Sequence, residues 1–299
     1  MLNFIVDISK LQMLGDGLGK PYYFQDIVLE LKKFWASRGC VVLHSFDEQV
    51  GAGTLSPFTA IYTLKKDEWN CCYEQYSRRP TDGRFGQNPN RLCGYYQFQV
   101  ILKPSPADVL DIYLKSLEAI GIDVKNNDIR FVEDDWQNPS IGASGLGWEV
   151  WLNGMEATQF TYMKQIGGIA FDKIPAEITY GLERLAMCVQ GKDSLFDLEY
   201  APGVSYKDVF YDFEVDYSNY YQKQADTDII FKNFEDCRRE AARLTELKNT
   251  FAAFEHCLKA SNFLNILDAR GVLSQNDRAA YILKIRELVK TVLQNSMSN

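Results

Sequence analysis

Residues 70–103 constrain the fold of this chain more than any other stretch. Asn70 to Tyr76 and Tyr95 to Leu102 are dense in aromatic and β-branched residues, the composition of strands. Between them, Ser77 to Arg91 is polar and punctuated by Pro80, Gly83, Gly86 and Pro89. Strand, loop and returning strand predict an antiparallel hairpin with an extended tip. Hairpin loops usually have about 2–5 residues, so a tip this long asks for a functional reason.

The flanking segments alternate between helix and strand. Phe24, Ile27, Leu31 and Phe34 recur at helical spacing, and Gly39 suits the end of that helix. Cys40 to His44 follows as a short apolar strand carrying His44 as a structural residue, and Gly51 to Thr54 turns the chain toward Pro57. Pro106 to Ile120 reads as a helix, Ile129 to Val132 as a strand and Gly142 to Gly147 as a glycine turn. Asn153-Gly154 is a hairpin dipeptide between strands Trp148 to Leu152 and Ala157 to Met163. Ala176 to Tyr180 is a further strand, and Gly181 opens a helix through Leu182, Leu185, Ala186 and Val189. Past residue 205 the apolar rhythm is helical, as at Ile230, Phe234, Cys237, Ala241 and Leu244. Ser274 with Asp277 resembles a capping box before a last helix. Hairpins interleaved with helices predict an α+β fold, an antiparallel sheet flanked by helices, over residues 1–205, with a C-terminal helical region over 206–299.

The 299 residues carry 32 Lys+Arg against 40 Asp+Glu, a net charge of −8, with 46% hydrophobic residues. That is enough apolar material for a large core. It argues against a chain whose whole surface grips nucleic acid, because neutralising phosphates needs excess cation. The seven cysteines form no C-x-x-C pair, and adjacent Cys71 and Cys72 should point to opposite faces of a strand. Reduced thiols and a cytoplasmic location are therefore expected. Met1 to Lys20 lacks the basic start and long apolar run of a signal peptide. No stretch approaches the ~18 apolar residues of a membrane span, so no membrane association is expected.

Against that acidic background, residues 73–103 carry Arg78, Arg79, Arg84, Arg91 and Lys103, opposed only by Glu74 and Asp82. Aromatic residues, among them Tyr73, Tyr76, Tyr95, Tyr96 and Phe98, surround them. Guanidinium forks fit phosphate oxygens, and an aromatic face stacks on a base. On charge alone the plainer interpretation is a solvated basic loop beside a packed strand. The pairing of Arg78 and Arg79 on one strand with Phe98 on the returning one favours a nucleotide site. In Glu177 to Leu185 a strand enters a helix through Gly181, which puts Arg184 in the first helical turn. Alternation sets Glu177 and Thr179 on one face of that strand. Gly15 to Lys20 is followed by Pro21 and fails the P-loop pattern, so it reads as a turn, as do Gly51 to Gly53 and Gly142 to Gly147.

Together these segments resemble class II aminoacyl-tRNA synthetases. Helix, strand and proline from Phe24 to Pro57 look like motif 1, the hairpin with Arg78, Arg79 and Phe98 like motif 2, and Gly181-Leu182-Glu183-Arg184 like motif 3. Ser77 to Arg84, Asn88 to Leu92, Tyr95 to Gln99, Gly147 to Glu156 and Thr158 to Phe160 are similar to the α subunits of bacterial heterotetrameric glycyl-tRNA synthetases. The resemblance covers nearly the whole chain.

The resemblance implies an ATP-dependent glycine-tRNA ligase. Glycine and ATP would give glycyl-adenylate and pyrophosphate, and glycine would pass to the 3′ end of tRNA(Gly). ATP would be a substrate, with Mg²⁺. Arg78 or Arg79 would stabilise charge at the α-phosphate and Phe98 would stack on adenine. Arg84 or Arg91 would reach the outer phosphates, and Arg184 would bind the γ-phosphate against the other face of adenine. For the glycine ammonium, Glu177 with Thr179 come first, then Glu156, Thr158 and Gln159, with Gly142 to Gly147 near the same pocket. Glu149, Glu156 or Glu177 would hold Mg²⁺. No general base is required, because the amino-acid carboxylate is itself the nucleophile; the chain has only two His. The acidic charge, and the absence of a recognisable anticodon-binding module after residue 205, assign tRNA selection to another polypeptide. The resemblance supplies one: a β subunit in an α₂β₂ assembly, with the motif 1 elements at an α–α homodimer interface. Two rivals are a class II paralogue that charges an acceptor other than tRNA, and a non-catalytic synthetase-like binding protein. The presence of Arg78, Arg79 and Arg184 speaks against the second.

Overall fold

The hairpin of residues 69–103 lies inside a nine-stranded sheet, in a computed structural model that describes residues 22–297. The Gly15 to Lys20 cluster and the rest of the first twenty-one residues lie outside the described part. The strands are β1 (Val41–Val42), β2 (Trp69–Arg78), β3 (Gly94–Lys103), β4 (Ile129–Asp134), β5 (Gln137–Asn138), β6 (Ala143–Leu152), β7 (Met155–Ile166), β8 (Ile169–Ala170) and β9 (Ala176–Gly181). They run in the order β1-β2-β3-β9-β7-β6-β4, with β5 beside β6 and β8 beside β7. Every pairing is antiparallel except β1 with β2. The hairpin register is unbroken from Trp69↔Lys103 to Arg78↔Gly94, so its face assignments follow strict alternation.

Helices α1 (Phe24–Ala36), α2 (Pro57–Ala60), α3 (Tyr62–Lys65), α4 (Val109–Ala119) and α5 (Leu182–Gln190) belong to the sheet-bearing part. Phe24, Ile27, Leu31 and Phe34 of α1 form the stripe that the sequence spacing predicts, joined by Trp35. With α4 and α5 they bury Phe98, Val100 and Leu102 of β3 and Ile178 and Tyr180 of β9. After α5 come the short strands β10 (Glu199–Ala201) and β11 (Val204–Ser205). Helix α6 (Tyr206–Asn219) starts at a Ser205–Asp208 capping box and runs into a π-helical turn, Tyr220–Gln224. It is followed by α7 (Thr227–Glu246), α8 (Thr250–Ala269) and α9 (Gln275–Met297). Phe234, Phe254, Leu258 and Val289 of these last helices share one core with Val50, Leu55, Ile141 and Met163. Each such burial contributes about 1.5–3 kcal/mol, so the C-terminal helices are anchored on the sheet-bearing part.

Some local expectations hold. Asn153-Gly154 turns β6 into β7 with φ of 52° and 86°. Ser274 and Asp277 exchange capping hydrogen bonds ahead of α9. All seven cysteines are free, and Cys71 and Cys72 pack in separate clusters. No helix among the described residues is long and apolar enough to cross a membrane.

Two expectations fail. The Cys40 to His44 strand shrinks to Val41–Val42, and His44 is exposed beyond it rather than set on an apolar strand. Gly142 to Gly147 is not a turn: β6 begins at Ala143. A Cβ at Gly147 would fall 2.0 Å from the Phe160 carbonyl oxygen, so the glycine permits close approach of β7 within a strand.

Candidate active site

Alternation along β3 and β9 separates polar from apolar side chains. Tyr95, Gln97 and Gln99 share one face with Glu177 and Thr179, while Tyr96, Phe98 and Val100 share the other with Ile178 and Tyr180. The polar face is the floor of a cavity of about 330 Å³. Phe98 is 0% exposed, its ring 6.1 Å from that of Tyr180 in the helix-covered core. It cannot stack on a ligand in the cavity. The strand that the motif resemblance pointed to does border the cavity, but through Tyr95 and Gln97 rather than Phe98. Tyr95 is the aromatic residue of β3 at the cavity wall, with the Arg79 guanidinium 5.0 Å from its ring centre. Burial pushes its phenol up to about 12.

The same parity divides the arginine doublet. Arg79 borders the cavity and its Nε donates to the Gly51 carbonyl at 3.1 Å. Arg78 sits on the face of Tyr76, donates to Tyr221 Oη at 3.2 Å and lies 4.5 Å from the Tyr217 ring centre. Arg91 is at the cavity rim and exposed. Arg84 is turned into its own loop, donating to the Thr81 and Gly83 carbonyls at 3.0 and 2.7 Å, and does not border the cavity. Arg184 does border it, because the Gly181 junction starts α5 at the C-terminal end of the interior strand β9. Its guanidinium donates to the Glu156 carbonyl at 2.6 Å and carboxylate at 3.2 Å. Both side chains are 39% exposed, so this ion pair is weak and open to displacement by an anion.

Beneath the floor lies Glu177, 1% exposed. Thr54 Oγ1 donates to its carboxylate at 2.6 Å, and Gln99 Nε2 donates to the same oxygen. Thr179 Oγ1 donates in turn to Gln99 Oε1 at 2.8 Å. Burial raises Glu177 to about 7 despite the hydrogen bonds from Thr54 and Gln99 that favour its charged form. Thr54 and Thr179 therefore spend their protons inward, and their free lone pairs serve the cavity. Gln97 accepts from Gly53 N at 2.8 Å and Ser77 Oγ at 2.9 Å. Glu183, buried beside the cavity, accepts from Tyr96 N and Tyr206 Oη, each at 2.8 Å, and burial raises it to about 7 as well.

On β7 a bulge reorders the expected residues. Thr158 opposes Val150 and Glu156 opposes Trp151, which leaves Ala157 unpaired. Glu156 therefore joins Gln159 on the cavity face, and the Thr158 side chain lies on the face of Val150 and Tyr180 with the helices. Gln159 borders the cavity and donates to Asp134 at 3.1 Å. Glu149 accepts from Trp151 Nε1 at 3.0 Å and does not border the cavity. Of Glu149, Glu156 and Glu177, only Glu156 reaches it. Among the described residues no group of three or more His, Cys, Asp or Glu could hold a metal ion. Mg²⁺ commonly sits on one or two carboxylates plus substrate phosphates, and Glu156 fits as one such carboxylate.

The structure thus brings together Arg79, Arg91, Arg184, Glu156, Gln159 and Thr179, with Glu177 one layer below. It excludes Phe98, Arg78, Arg84 and Glu149 from the cavity, whereas Thr158 borders it with its side chain turned toward the helices. Thr54, Tyr95, Gln97, Gln99 and Glu183 were not among the expected site residues. The alternation of Tyr95-Tyr96-Gln97-Phe98-Gln99 carried the signal for three of them. Nothing local marks Thr54, which meets Glu177 from 123 residues away.

A family model described as "Glycyl-tRNA synthetase alpha subunit" matches residues 24–299. Two solved structures from Desulfitobacterium hafniense are also similar. PylSc, a pyrrolysyl tRNA synthetase, is 14% identical over 66% of this chain and 78% of that one, with a TM-score of 0.43. A crystal structure of pyrrolysyl-tRNA synthetase is 14% identical over 64% of this chain and 78% of that one, with a TM-score of 0.42.

Proposed function

Because the chain belongs to the glycyl-tRNA synthetase alpha-subunit family, and so to the ATP-dependent aminoacyl-tRNA ligases, we propose that its cavity activates glycine with ATP and, together with a β subunit, delivers glycine to the 3′ end of tRNA(Gly). The observation that carries this reading is the convergence of Arg79, Arg91 and Arg184 on a cavity floored by hydroxyls wired to a buried carboxylate.

In the proposed step a carboxylate oxygen of glycine attacks the α-phosphorus of ATP. The new O–P bond forms as the bond to the bridging oxygen breaks, and pyrophosphate leaves with that electron pair. No proton moves, so the chain's task is to place charge and hold geometry. Arg79, beside the floor, faces the α-phosphate; Arg91 and Arg184 take the outer phosphates, and Arg184 leaves Glu156 to do so. Adenine lies against Tyr95. The ammonium of glycine meets the outward lone pairs of Thr54 and Thr179, and Glu177 beneath them gives up its proton to solvent as that cation binds, before the chemical step. Mg²⁺ arriving with ATP would neutralise phosphate charge, with Glu156 as its protein carboxylate. The exposed Leu29, Val41 and Val42 on α1 and β1 support an α–α homodimer at this edge.

Amino-acid-dependent ATP–pyrophosphate exchange tests the proposal, on the purified chain and on the chain co-expressed with its β partner. Exchange with glycine alone among the twenty amino acids is the expected result. Exchange with a different amino acid, or with none in either preparation, would overturn it.

A further inference from the structure

The loop that brings Arg91 to the cavity is anchored on helix α6 and the turn that follows it, with a further bond from Leu195 N to the Pro89 carbonyl at 2.8 Å. Glu214 of α6 is 2% exposed and divides its carboxylate between the middle of that loop and its C-terminal end. Oε1 accepts from Arg84 N at 2.7 Å, and Oε2 accepts from Cys93 N at 2.6 Å. One turn further, Ser218 Oγ donates to Glu214 at 2.9 Å and accepts from Phe85 N at 3.1 Å. Gln222, in the π-helical turn, donates to the Gly83 carbonyl at 2.7 Å. A Cβ at Gly83 would fall 2.6 Å from Ser218 Oγ, so the loop lies on the helix at a distance that glycine permits. The Cys93 that Glu214 holds also accepts, at its carbonyl, from Arg79 N at 2.7 Å. One buried carboxylate therefore fixes the base of the loop from which Arg79 and Arg91 project.

We infer that Glu214 is a positioning residue for the nucleotide: without bordering the cavity, it holds Arg79 and Arg91 where the phosphates of ATP arrive. This rests on the nucleotide cavity proposed above. A carboxylate is the group that can accept from both backbone N–H donors at once, and charge-assisted bonds of this kind are about twice as strong as neutral ones. In Glu214→Gln the amide nitrogen must face one of those N–H groups, which frees one of the two loop contacts.

The test uses the full chain with its β partner. In Glu214→Gln the KM for ATP should rise about tenfold, the equivalent of one lost charge-assisted hydrogen bond, with the KM for glycine within about twofold. Amide hydrogen exchange at Arg84, Phe85 and Cys93 should accelerate in the same variant. Ser218→Ala, a milder change, should move the ATP KM and loop exchange in the same direction by about threefold. Unchanged loop exchange, or equal rises in both KM values, would overturn the inference while an active wild type leaves the nucleotide reading intact. A wild type with no glycine-dependent exchange would overturn the reading itself and the inference with it.

Discussion

Arg78 and Arg79 are neighbours in the chain and serve opposite faces of the sheet: Arg78 donates to Tyr221 Oη at 3.2 Å, and Arg79 stands 5.0 Å from the Tyr95 ring centre at the cavity wall. Arg79→Ala should therefore lower kcat/KM for glycine-dependent exchange by about 100-fold or more, as loss of a preorganised transition-state cation does. Arg78→Ala removes a guanidinium boxed by Tyr217, Tyr221 and Phe213, and should lower the melting temperature with a smaller loss of kcat/KM. Equal losses of kcat/KM in the two variants would refute this division of labour.

Tyr95 and Phe98 make a matching pair of tests on β3. Phe98→Ala should cost about 3–5 kcal/mol in denaturant unfolding, because it leaves a cavity in a fully buried cluster. Tyr95→Ala should cost less stability than Phe98→Ala and raise the KM for ATP by about tenfold, consistent with an aromatic platform worth about 1–3 kcal/mol per stacked base. A variant Phe98→Leu that folds normally yet loses ATP affinity would contradict the placement of Phe98 in the core.

How far the site could be read from the chain depends on the kind of pattern involved. Long periodic segments such as Phe24 to Ala36 and the two hairpin strands are legible because burial imposes a period on them. The motif resemblance pointed to strands that border the cavity. It could not assign faces, because a face depends on parity, and parity is reset by a single extra residue. The bulge at Ala157 shows this: counting in twos from Gln159 puts Glu156 with the helices, whereas the structure puts it on the cavity. The contact of Thr54 with Glu177, and that of Glu214 with the hairpin loop, join residues more than a hundred positions apart, and no local pattern encodes them.

Arg184 and Glu156 form a half-exposed pair at the cavity edge. If the proposed function holds, Arg184→Ala should reduce glycine-dependent exchange by about 100-fold or more, through loss of the cation proposed to face the phosphates. Arg184→Lys should restore little of it, since an ammonium cannot reproduce the planar fork. Stopped-flow binding of ATP and steady-state exchange together check the assignment. Near wild-type turnover in Arg184→Ala would remove this residue from the site.

Glu177 gives the protein a pH dependence of definite sign. Burial raises its carboxyl from 4.5 to about 7, so the folded protein keeps a proton that the unfolded chain releases from about pH 4.5 upward. The stability from this protonated group is complete below about pH 4.5, declines as pH rises toward about 7, and levels off above that. The full effect is about 3 kcal/mol for this group, and Glu183 acts in the same direction. Glu177→Gln keeps an oxygen to accept from Thr54 and Gln99 but has no proton to lose. Its melting temperature should therefore gain on that of the wild type between about pH 5 and pH 8, measured by calorimetry without ligands. In exchange assays the same variant should show a raised KM for glycine and an unchanged KM for ATP, because the ammonium loses the anion beneath its hydroxyl contacts. A melting difference that stays constant across that pH range would mean that Glu177 is ionised throughout and that burial does not govern it.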